Sequence, residues 1–426
     1  MSRTVATVSP KNDADVAELY RRHLSSGRAR LASVLGGQVE VSSAGAHVTD
    51  AGGAQLLDCG GYGVFMLGHG HPRVVEAVRE QVDRHPLTTR LLLDPVQARA
   101  AQALASVCPE GLERVYFGTS GADVVEAALK LARLHGKRRI VSAIGGFHGK
   151  TLGALSACGN ATLRRPFEPL LPDAANVPFG DADAIRSELA DAPGECCVLL
   201  EPIQAEGGVR LPPADYLRRV SSACREHGAL LILDEIATGL GRVGWWWACE
   251  AYGVTPDVML VGKPLSGGVV PVSAVVATND AFAPLDRDPF MHSATFAGSP
   301  IAMAAVIATI AVLSDEGVVE RAAELGEVLL ERLTAALSGS DVVREVRGAG
   351  LLLGIEFVEP TLCADFEIEL VSRGVVPNHC LNAHGVVRLT PPACLSAGDV
   401  EWLVEAVAAS AEAVGARRRR ARERRG

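Results

Sequence analysis

One lysine stands where a lysine is chemically unusual. Lys263 lies in PDVMLVGKPLSGG, between an apolar run typical of a buried strand and a pair of glycines. An isolated ammonium group is costly to bury, so such a lysine needs either solvent or a partner. Two interpretations are open. Lys263 either ends the strand and extends its charged tip into solvent, or is kept reactive by burial, as in lysines that form Schiff bases with carbonyl compounds.

Carboxylates follow two other apolar runs in the same way. Glu201 comes directly after CCVLL, and Asp234 and Glu235 come at the end of ALLILDE. In an open parallel sheet the carboxyl ends of the strands share one edge, and ligands bind there. A single charged residue after a strand is ordinary, but three strands with charged ends in one sheet indicate a site.

Two further segments offer groups for a planar, anionic ligand. In FGTSGADVVEAAL, Ser120 can cap the following helix, Asp123 suits a capping box, and Gly121 lets a ligand approach the backbone amides. In GGFHGKT, Phe147 offers a flat face, although an aromatic residue here can equally pack in a core. Together with a Schiff-base lysine and a carboxylate for a ring nitrogen, these groups favour pyridoxal phosphate as the cofactor.

The elements that must position these residues are visible as strand-length apolar runs separated by helix-like segments: ERVYFGT, KRRIVSA, CCVLLEP, ALLILDE, DVMLVGK and VSAVVAT. This alternation predicts an α/β fold with a largely parallel sheet covered by helices. A later helix carries one apolar stripe, formed by Val318, Ala322, Leu325, Leu329 and Leu333. We predict an N-terminal segment of a small domain (1–70), a large domain (71–310), a C-terminal small domain (311–415) and a basic disordered tail (416–426).

Composition narrows the functional classes. The chain has 426 residues, of which 48% are hydrophobic and 4% aromatic, as in globular proteins with a large core. A formal charge of -9 gives no reason to expect nucleic acid or a membrane as partner. We see no signal peptide and no apolar segment of membrane-spanning length, and therefore expect a cytoplasmic protein. The ten cysteines lack zinc-like spacing, so we expect reduced thiols and no metal site.

Linked motifs make the sequence resemble the class III pyridoxal-phosphate aminotransferases of fold type I over roughly residues 20 to 410. In family order they are LGHGHP, TSGADVVEAALKLAR, GGFHGKT, EPIQAEGG, LILDEIATGLGRVG, GKPLSGG, HSATFAGSP, RGAGLLLGIEF and VVRLTPP. RPFEPLLPDAANVPFG and EPIQAEGGVRLPPADYL make it most similar to the putrescine or diamine aminotransferases. The resemblance implies a large domain with a mostly parallel seven-stranded sheet and a smaller α+β domain built from the N- and C-terminal segments.

The resemblance also implies roles for individual residues. The implied cofactor-binding residues are Ser120, Gly121 and Ala122 at the phosphate, Phe147 and His148 at the ring, Asp234 at its nitrogen and Lys263 in the Schiff base. Thr295 is implied to reach the phosphate of the neighbouring subunit's cofactor, which requires an obligate homodimer with shared active sites. Glu206 and Arg388 match a pair that manages substrate carboxylates, and Tyr62 is placed with them as a substrate-binding residue.

The implied reaction is an amino transfer from a diamine, omega-amino acid or amino-sugar-like donor to 2-oxoglutarate or pyruvate, with Lys263 as general base. Decarboxylases, aminomutases and epimerases share this scaffold and are the alternative. A non-catalytic relative is expected to lack Lys263 or Asp234, and both are present.

Four positions depart from the family pattern. Thr119, Ala205, Ala237 and Ser299 stand where the family usually has asparagine, glycine, glutamine and asparagine. Ala237 lacks an amide that would bind the cofactor's ring hydroxyl, so the resemblance does not fix the substrate. The run of three tryptophans at 245–247 is also unusual, and we expect it to pack or to form a dimer surface, with a place in the pocket as the alternative.

Overall fold

The structure is a computed structural model that describes residues 13–423, and a seven-stranded sheet forms its centre. The described strands are β1 (Glu40–Ala44), β2 (His47–Asp50), β3 (Gln55–Asp58), β4 (Arg114–Gly118), β5 (Arg139–Ala143), β6 (Ala174–Val177), β7 (Cys196–Leu200), β8 (Leu230–Asp234), β9 (Val258–Val261), β10 (Ser273–Ala277), β11 (Val343–Ala349), β12 (Leu352–Phe357), β13 (Val375–Val376), β14 (Asn378–His379) and β15 (Val386–Leu389).

Helices separate most of these strands. The described α-helices are α1 (Asp13–Leu19), α2 (Ser26–Val34), α3 (Pro72–Arg84), α4 (Pro95–Ala105), α5 (Gly121–Leu134), α6 (Leu152–Ala157), α7 (Ala161–Arg164), α8 (Ala182–Asp191), α9 (Tyr216–His227), α10 (Ala248–Ala251), α11 (Asn279–Arg287), α12 (Pro300–Asp315), α13 (Val318–Ala336), α14 (Thr361–Ser372) and α15 (Ala397–Glu423). A π-helical turn lies at Tyr20–Leu24, and 3-10 turns lie at Gly61–Gly63, Arg165–Phe167 and Lys263–Ser266.

The central sheet has the order β4-β10-β9-β8-β7-β5-β6. Strands β9, β8, β7, β5 and β6 pair in parallel, whereas β10 is antiparallel to both of its neighbours. Alternate residues of β7 contribute to two separate hydrophobic clusters, so both faces of the sheet are covered. The prediction of a mostly parallel seven-stranded sheet is confirmed, and six of its strands are the six apolar runs of the sequence.

Two smaller sheets join the N-terminal and C-terminal segments. One has the order β1-β2-β3-β13, in which β13 pairs in parallel with β3, and the other has the order β11-β12-β15-β14. The amide of Leu57 donates to Gly374 O (2.7 Å), and the amide of Cys59 donates to Val376 O (3.0 Å). The predicted α+β unit built from both ends of the chain is therefore present.

The helix that follows the large sheet buries its predicted apolar stripe. Val318, Ala322, Leu325, Leu329 and Leu333 are all buried on α13. The boundary expected near residue 310 lies inside the continuous helix α12, and the chain turns at Gly317, which has a φ of 59°. Because that left-handed conformation favours glycine, we propose Gly317 as the junction between the two parts.

A buried arginine ties the separate segments together. Arg242 is fully buried, and its guanidinium donates to Pro391 O (2.6 Å), Leu351 O (3.2 Å) and Gly63 O (3.4 Å). Burial, together with the positive charge of Arg388, lowers the pKa of Arg242 to about 9. The carbonyl groups of three distant segments therefore depend on one side chain from the large domain.

The prediction of a disordered basic tail is wrong over residues 416–423, which continue α15. Arginines of this helix form ion pairs with acidic residues of the small domain: Arg417 with Glu369, Arg418 with Glu359, and Arg419 with Asp341. The local sequence does not reveal this helix, because the acidic partners of its arginines lie 48 to 78 residues away. Residues 424–426 lie outside the described residues.

Within residues 13–423, no single helix is long and apolar enough to cross a membrane. Helices α12 and α13 pass that test of length and composition only as a pair, and they are bent by 63° at the break between them.

Candidate active site

The charged residues at the ends of β7, β8 and β9 meet at one cavity of about 230 Å³. Glu201 follows β7, Asp234 ends β8, and Lys263 follows β9. The parallel pairing of these strands places their carboxyl ends at the same edge. Of the residues expected at the cofactor or substrate, the cavity is lined by Gly121, Ala122, Phe147, His148, Glu206, Asp234 and Lys263.

Asp234 and His148 form a buried pair in the cavity wall. The Asp234 Oδ2 atom lies 2.8 Å from His148 Nδ1, and Asp234 Oδ1 accepts a hydrogen bond from the amide of Ile236 (3.1 Å). Burial opposes the charged imidazolium, but the hydrogen bond and charge of Asp234 outweigh burial and raise the pKa of His148. His148 Nε2 is buried and has no hydrogen-bond partner among the described residues. The pair therefore keeps a fixed carboxylate and one unsatisfied ring nitrogen at the site.

Glu201 holds the backbone on two sides of the cavity. Its Oε2 atom accepts from the amide of Phe147 (2.9 Å), and its Oε1 atom accepts from the amide of Ala205 (3.2 Å). Burial is the main reason that the pKa of Glu201 is raised to about 7, and the negative charge of Asp234 adds to it. Glu201 thus positions both the aromatic residue and the turn that leads to Glu206.

Lys263 borders the cavity and is half-buried there. Burial lowers the pKa of Lys263, and the nearby positive charge of Arg388 lowers it further, while Glu206 and other acids oppose both effects. An amine with a lowered pKa is neutral and nucleophilic over a wider range of pH. Of the two interpretations of the sequence, this geometry supports the reactive lysine.

The start of α5 also borders the cavity, through Gly121 and Ala122. Ser120 caps the helix as predicted, because its Oγ atom accepts from the amide of Asp123 (3.3 Å). Asp123 does not complete the capping box, since its Oδ2 atom accepts from the amide of Thr119 (2.8 Å) instead. A Cβ atom at Gly121 would lie 3.0 Å from Ile236 Cδ1, so a larger residue would crowd this wall. The helix N-terminus therefore offers backbone amides to an anion.

Glu206 and Arg388 form a second buried pair. Register places Arg388 on β15 opposite Gly354, and its Nη1 atom lies 2.8 Å from Glu206 Oε1. Glu206 Oε2 also accepts from the amide of Leu381 (2.9 Å). Burial opposes ionisation of Glu206, but Arg388 and the Leu381 amide outweigh it, so that its pKa is lowered. Arg388 Nε and Nη2 are buried without partners among residues 13–423, which leaves donors for an anion.

Four expected site residues do not line this cavity, and one of them, Arg388, instead contacts the lining residue Glu206. Ser120 is exposed, although the next two residues line it. Tyr62 is 61% exposed and has a φ of 51°, next to Gly63, whose added Cβ would lie 3.6 Å from Lys263 Cδ. Thr295 is exposed on the loop between α11 and α12, where its carbonyl accepts from Arg90 (2.9 Å). A single chain therefore does not bring Thr295 to its own cavity.

Other residues named from the sequence have structural contacts. Glu235 does not line the cavity and accepts from the amides of Cys249 (2.7 Å) and Ala248 (3.1 Å). Trp247 is fully buried and donates to Val107 O (2.6 Å). None of the three tryptophans lines the cavity, and within this chain Trp247 packs in the core whereas Trp245 is 51% exposed. Ala205 and Ala237, two of the departures, do line it.

Sequence patterns did not identify every residue that organises the site. Arg242 and Asn382 bind backbone carbonyls of distant segments. No local signal marks either residue, because an arginine after a glycine or an asparagine in a loop is ordinary in sequence. Glu201 was identified only as a charged strand end, and its two backbone contacts required the fold.

Comparison with known proteins agrees with this geometry. The family model described as Aminotransferase class-III matches residues 37–410. The ornithine aminotransferase of Toxoplasma gondii, crystallised with partial occupancy of PLP, is 29% identical with a TM-score of 0.90, and the match covers 98% of this chain and 100% of that one. Ornithine delta-aminotransferase of Plasmodium falciparum is 29% identical with a TM-score of 0.79, covering 89% and 94%. A transaminase of the marine bacterium Virgibacillus is 24% identical with a TM-score of 0.88, covering 95% and 99%, and shows likeness of fold.

The lowered pKa of Lys263 predicts how pH affects the stability of the cofactor-free protein. The ordinary pKa of lysine is 10.5. The pKa of Lys263 in the folded state is lower than this, so the folded state disfavours the charged amine. At pH values below the folded-state pKa of Lys263, this effect lowers the free energy of unfolding. The destabilisation disappears as the pH rises toward the pKa of lysine in the unfolded chain. We expect cofactor-free Lys263→Met to be more stable than wild type at neutral pH, with a difference that shrinks in alkaline buffer.

Denaturant unfolding followed by circular dichroism measures both proteins across that pH range. Lys130→Met, which replaces an exposed lysine of α5, controls for the general loss of one positive charge. A wild type that is more stable than Lys263→Met at neutral pH would contradict the account of a lysine penalised by burial.

Proposed function

Because the chain belongs to the class III aminotransferases, we propose that it moves an amino group from a diamine, omega-amino acid or amino-sugar-like donor to a keto acid such as 2-oxoglutarate or pyruvate. The enzyme is a pyridoxal-phosphate-dependent transaminase, and the classes of donor and acceptor are the part that we propose. The buried pair of Glu206 and Arg388 is the observation that carries this part.

The residues around the cavity fit pyridoxal phosphate. The amides at the start of α5 are suited to its phosphate, and Phe147 offers an aromatic face. Asp234 supplies a fixed carboxylate for the ring nitrogen, and Lys263 supplies the amine that would hold the cofactor. When bound, the cofactor supplies a reactive aldehyde carbon and an electron-withdrawing ring.

The protein's own groups manage the proton. As an amine with a lowered pKa, Lys263 Nζ can hold the proton that leaves the carbon bearing the donor's amino group. His148 and the amide of Ile236 fix the Asp234 carboxylate, so its charge stays at one place in the cavity wall. Glu201 fixes the backbone of Phe147 and keeps the aromatic face in position.

One pocket must accept both an amine without a carboxylate and a keto acid that has one or two. An unpaired buried guanidinium would repel a cationic amine, so the first substrate requires Arg388 to be neutralised. Glu206 does this in the structure, at 2.8 Å. A keto acid can take over the guanidinium if Glu206 moves away, because a carboxylate and a guanidinium form strong charge-assisted hydrogen bonds.

An exposed apolar surface supports a homodimer that shares its active sites. Leu91, Leu92, Leu93, Phe290 and Phe296 are between 63% and 101% exposed. Phe290 and Phe296 lie on the loop that carries Thr295, and Arg90, the residue before the three leucines, donates a hydrogen bond to Thr295 O. Exposed apolar patches are typical of protein interfaces. We infer that a second copy covers this surface and that Thr295 serves the neighbouring cofactor's phosphate.

All ten cysteines are within the described residues, and none is in a disulfide. Reduced thiols are typical of proteins in reducing compartments, which supports the cytoplasm as the proposed location.

The proposed use of Arg388 predicts unequal effects of its loss on the two half-reactions. Arg388→Ala should slow the keto-acid half-reaction roughly 10- to 100-fold, because hydrogen bonds to a charged group are lost, while the amine half-reaction changes by only a few-fold. Glu206→Gln should shift the donor preference toward amines that carry a carboxylate. Single-turnover absorbance changes of the cofactor measure each half-reaction separately.

The double variant Arg388→Met with Glu206→Gln is the control, because it leaves neither charge buried alone. It should recover thermal stability without recovering the keto-acid half-reaction. Equal losses in both half-reactions of Arg388→Ala, together with a lowered melting temperature, would support a purely structural pair and exclude the proposed exchange.

Shared active sites predict complementation between two inactive variants. In a mixed dimer of Lys263→Ala and Thr295→Ala subunits, one of the two sites has both native residues. Equal mixing should therefore restore about one quarter of wild-type activity after subunit exchange. Mass spectrometry of labelled subunits measures the exchange, and activity no higher than that of the variants alone, despite complete exchange, would contradict shared sites.

A further inference from the structure

A loop of the small domain holds the Glu206 turn of the large domain. The loop lies between β14 and β15, and the amide of Asn382 donates to Glu206 O (3.0 Å). The preceding amide, that of Leu381, donates to the Glu206 carboxylate itself (2.9 Å). The Glu206 carboxylate therefore has two partners in this structure: the guanidinium of Arg388 and the backbone amide of Leu381.

The side chain of Asn382 attaches this loop to the large domain. Its Nδ2 atom donates to Gly145 O (2.9 Å) and Gly146 O (3.1 Å), and its Oδ1 atom accepts from Asn160 Nδ2 (2.9 Å). Both the nitrogen and the oxygen of the Asn382 side-chain amide therefore have hydrogen-bond partners in the large domain. Asn382 is half-buried and does not line the cavity, so it is separate from the residues assigned to cofactor and substrate.

The turn that Asn382 binds is itself tightly held, which makes it a firm anchor. The amide of Gly145 donates to Gly159 O (3.1 Å), and the amide of Gly146 donates to Ala143 O (3.0 Å). A Cβ atom at Gly145 would lie 2.9 Å from Gln204 Oε1, so the turn also has no spare room. The turn at Gly145 and Gly146 therefore resists movement, and it holds the loop between β14 and β15 in place through Asn382.

We propose that Asn382 is a positioning residue that fixes the Leu381 amide against Glu206, and so favours the state in which Arg388 is hidden. The inference rests on the proposed function, because the hidden state is the one that accepts an amine without a carboxylate. Releasing Arg388 then requires Glu206 to leave a backbone amide as well as an ion pair. Asn382 thereby sets the balance between substrates with and without a carboxylate, without contacting either.

Asn382→Ala removes the three side-chain bonds and keeps the backbone amide. In the holoenzyme, kcat/KM for a diamine donor should fall about five- to tenfold, as expected for the loss of roughly one net hydrogen bond between neutral groups. The affinity for glutarate, a dicarboxylate that cannot react, should rise by a similar factor, since Arg388 is free more often. Isothermal titration measures glutarate binding, and single-turnover absorbance measures the diamine reaction.

Gln81→Ala is the matched control. This buried amide of α3 donates to His85 O (2.7 Å), outside the residues of the site, so its loss should lower stability without changing glutarate affinity. If Asn382→Ala does not fold, Asn160→Ser removes the bond to Asn382 Oδ1 while serine can still cap α7 in place of Asn160, and it should change both quantities in the same directions, by about twofold. Equal losses for diamine and keto acid with unchanged glutarate affinity would overturn the inference.

The glutarate titration separates failure of this inference from failure of the proposed function. If wild type transfers no amino group from any amine donor, the proposed function is wrong, yet tighter glutarate binding by Asn382→Ala would still support the hold on Glu206. If wild type is an amine transaminase and glutarate affinity is the same in wild type and Asn382→Ala, the proposed function stands and the role of Asn382 is wrong.

Discussion

The constraint on which the rest of the structure depends is the burial of several opposite charges at one edge of the central sheet. Lys263, Arg388 and Arg242 are basic side chains at or near the cavity, and Asp234, Glu201 and Glu206 are the acids whose charges act on Lys263. Burial of any one of these charges alone would be costly. The two arginines and the three acids each have a hydrogen bond or an ion pair, whereas the cost of burying Lys263 appears as its lowered pKa.

The fold satisfies this constraint by drawing the charged groups from both the large and the small domain. Parallel strands bring the acids and the lysine to one edge, while β15 and the loop before it bring Arg388 and the Leu381 amide from the small domain. Arg242 joins the parts by binding carbonyls of three segments. The position of the small domain is therefore linked to the electrostatics of the substrate pocket, because moving that domain would move Arg388 and the Leu381 amide relative to Glu206.

Much of the fold and part of the site could be predicted from the sequence. The six strands were predictable because buried parallel strands are continuous apolar runs, and Ser120 because a helix cap is a local pattern. The role of Glu235 in holding α10, the contacts of Asn382 and the helical end of α15 could not be predicted. Each of these depends on a hydrogen bond or ion pair to residues distant in sequence, and no local pattern encodes such a partner.

The account depends most directly on the claim that Lys263 is the residue that holds the cofactor. Borohydride reduction of the purified holoenzyme, followed by proteolysis and mass spectrometry, measures this. We expect the visible absorbance band to be lost and the cofactor's mass to be found on one peptide, the one that contains GKPLSGG. A cofactor fixed on any other lysine, or on none, would contradict the assignment of the site.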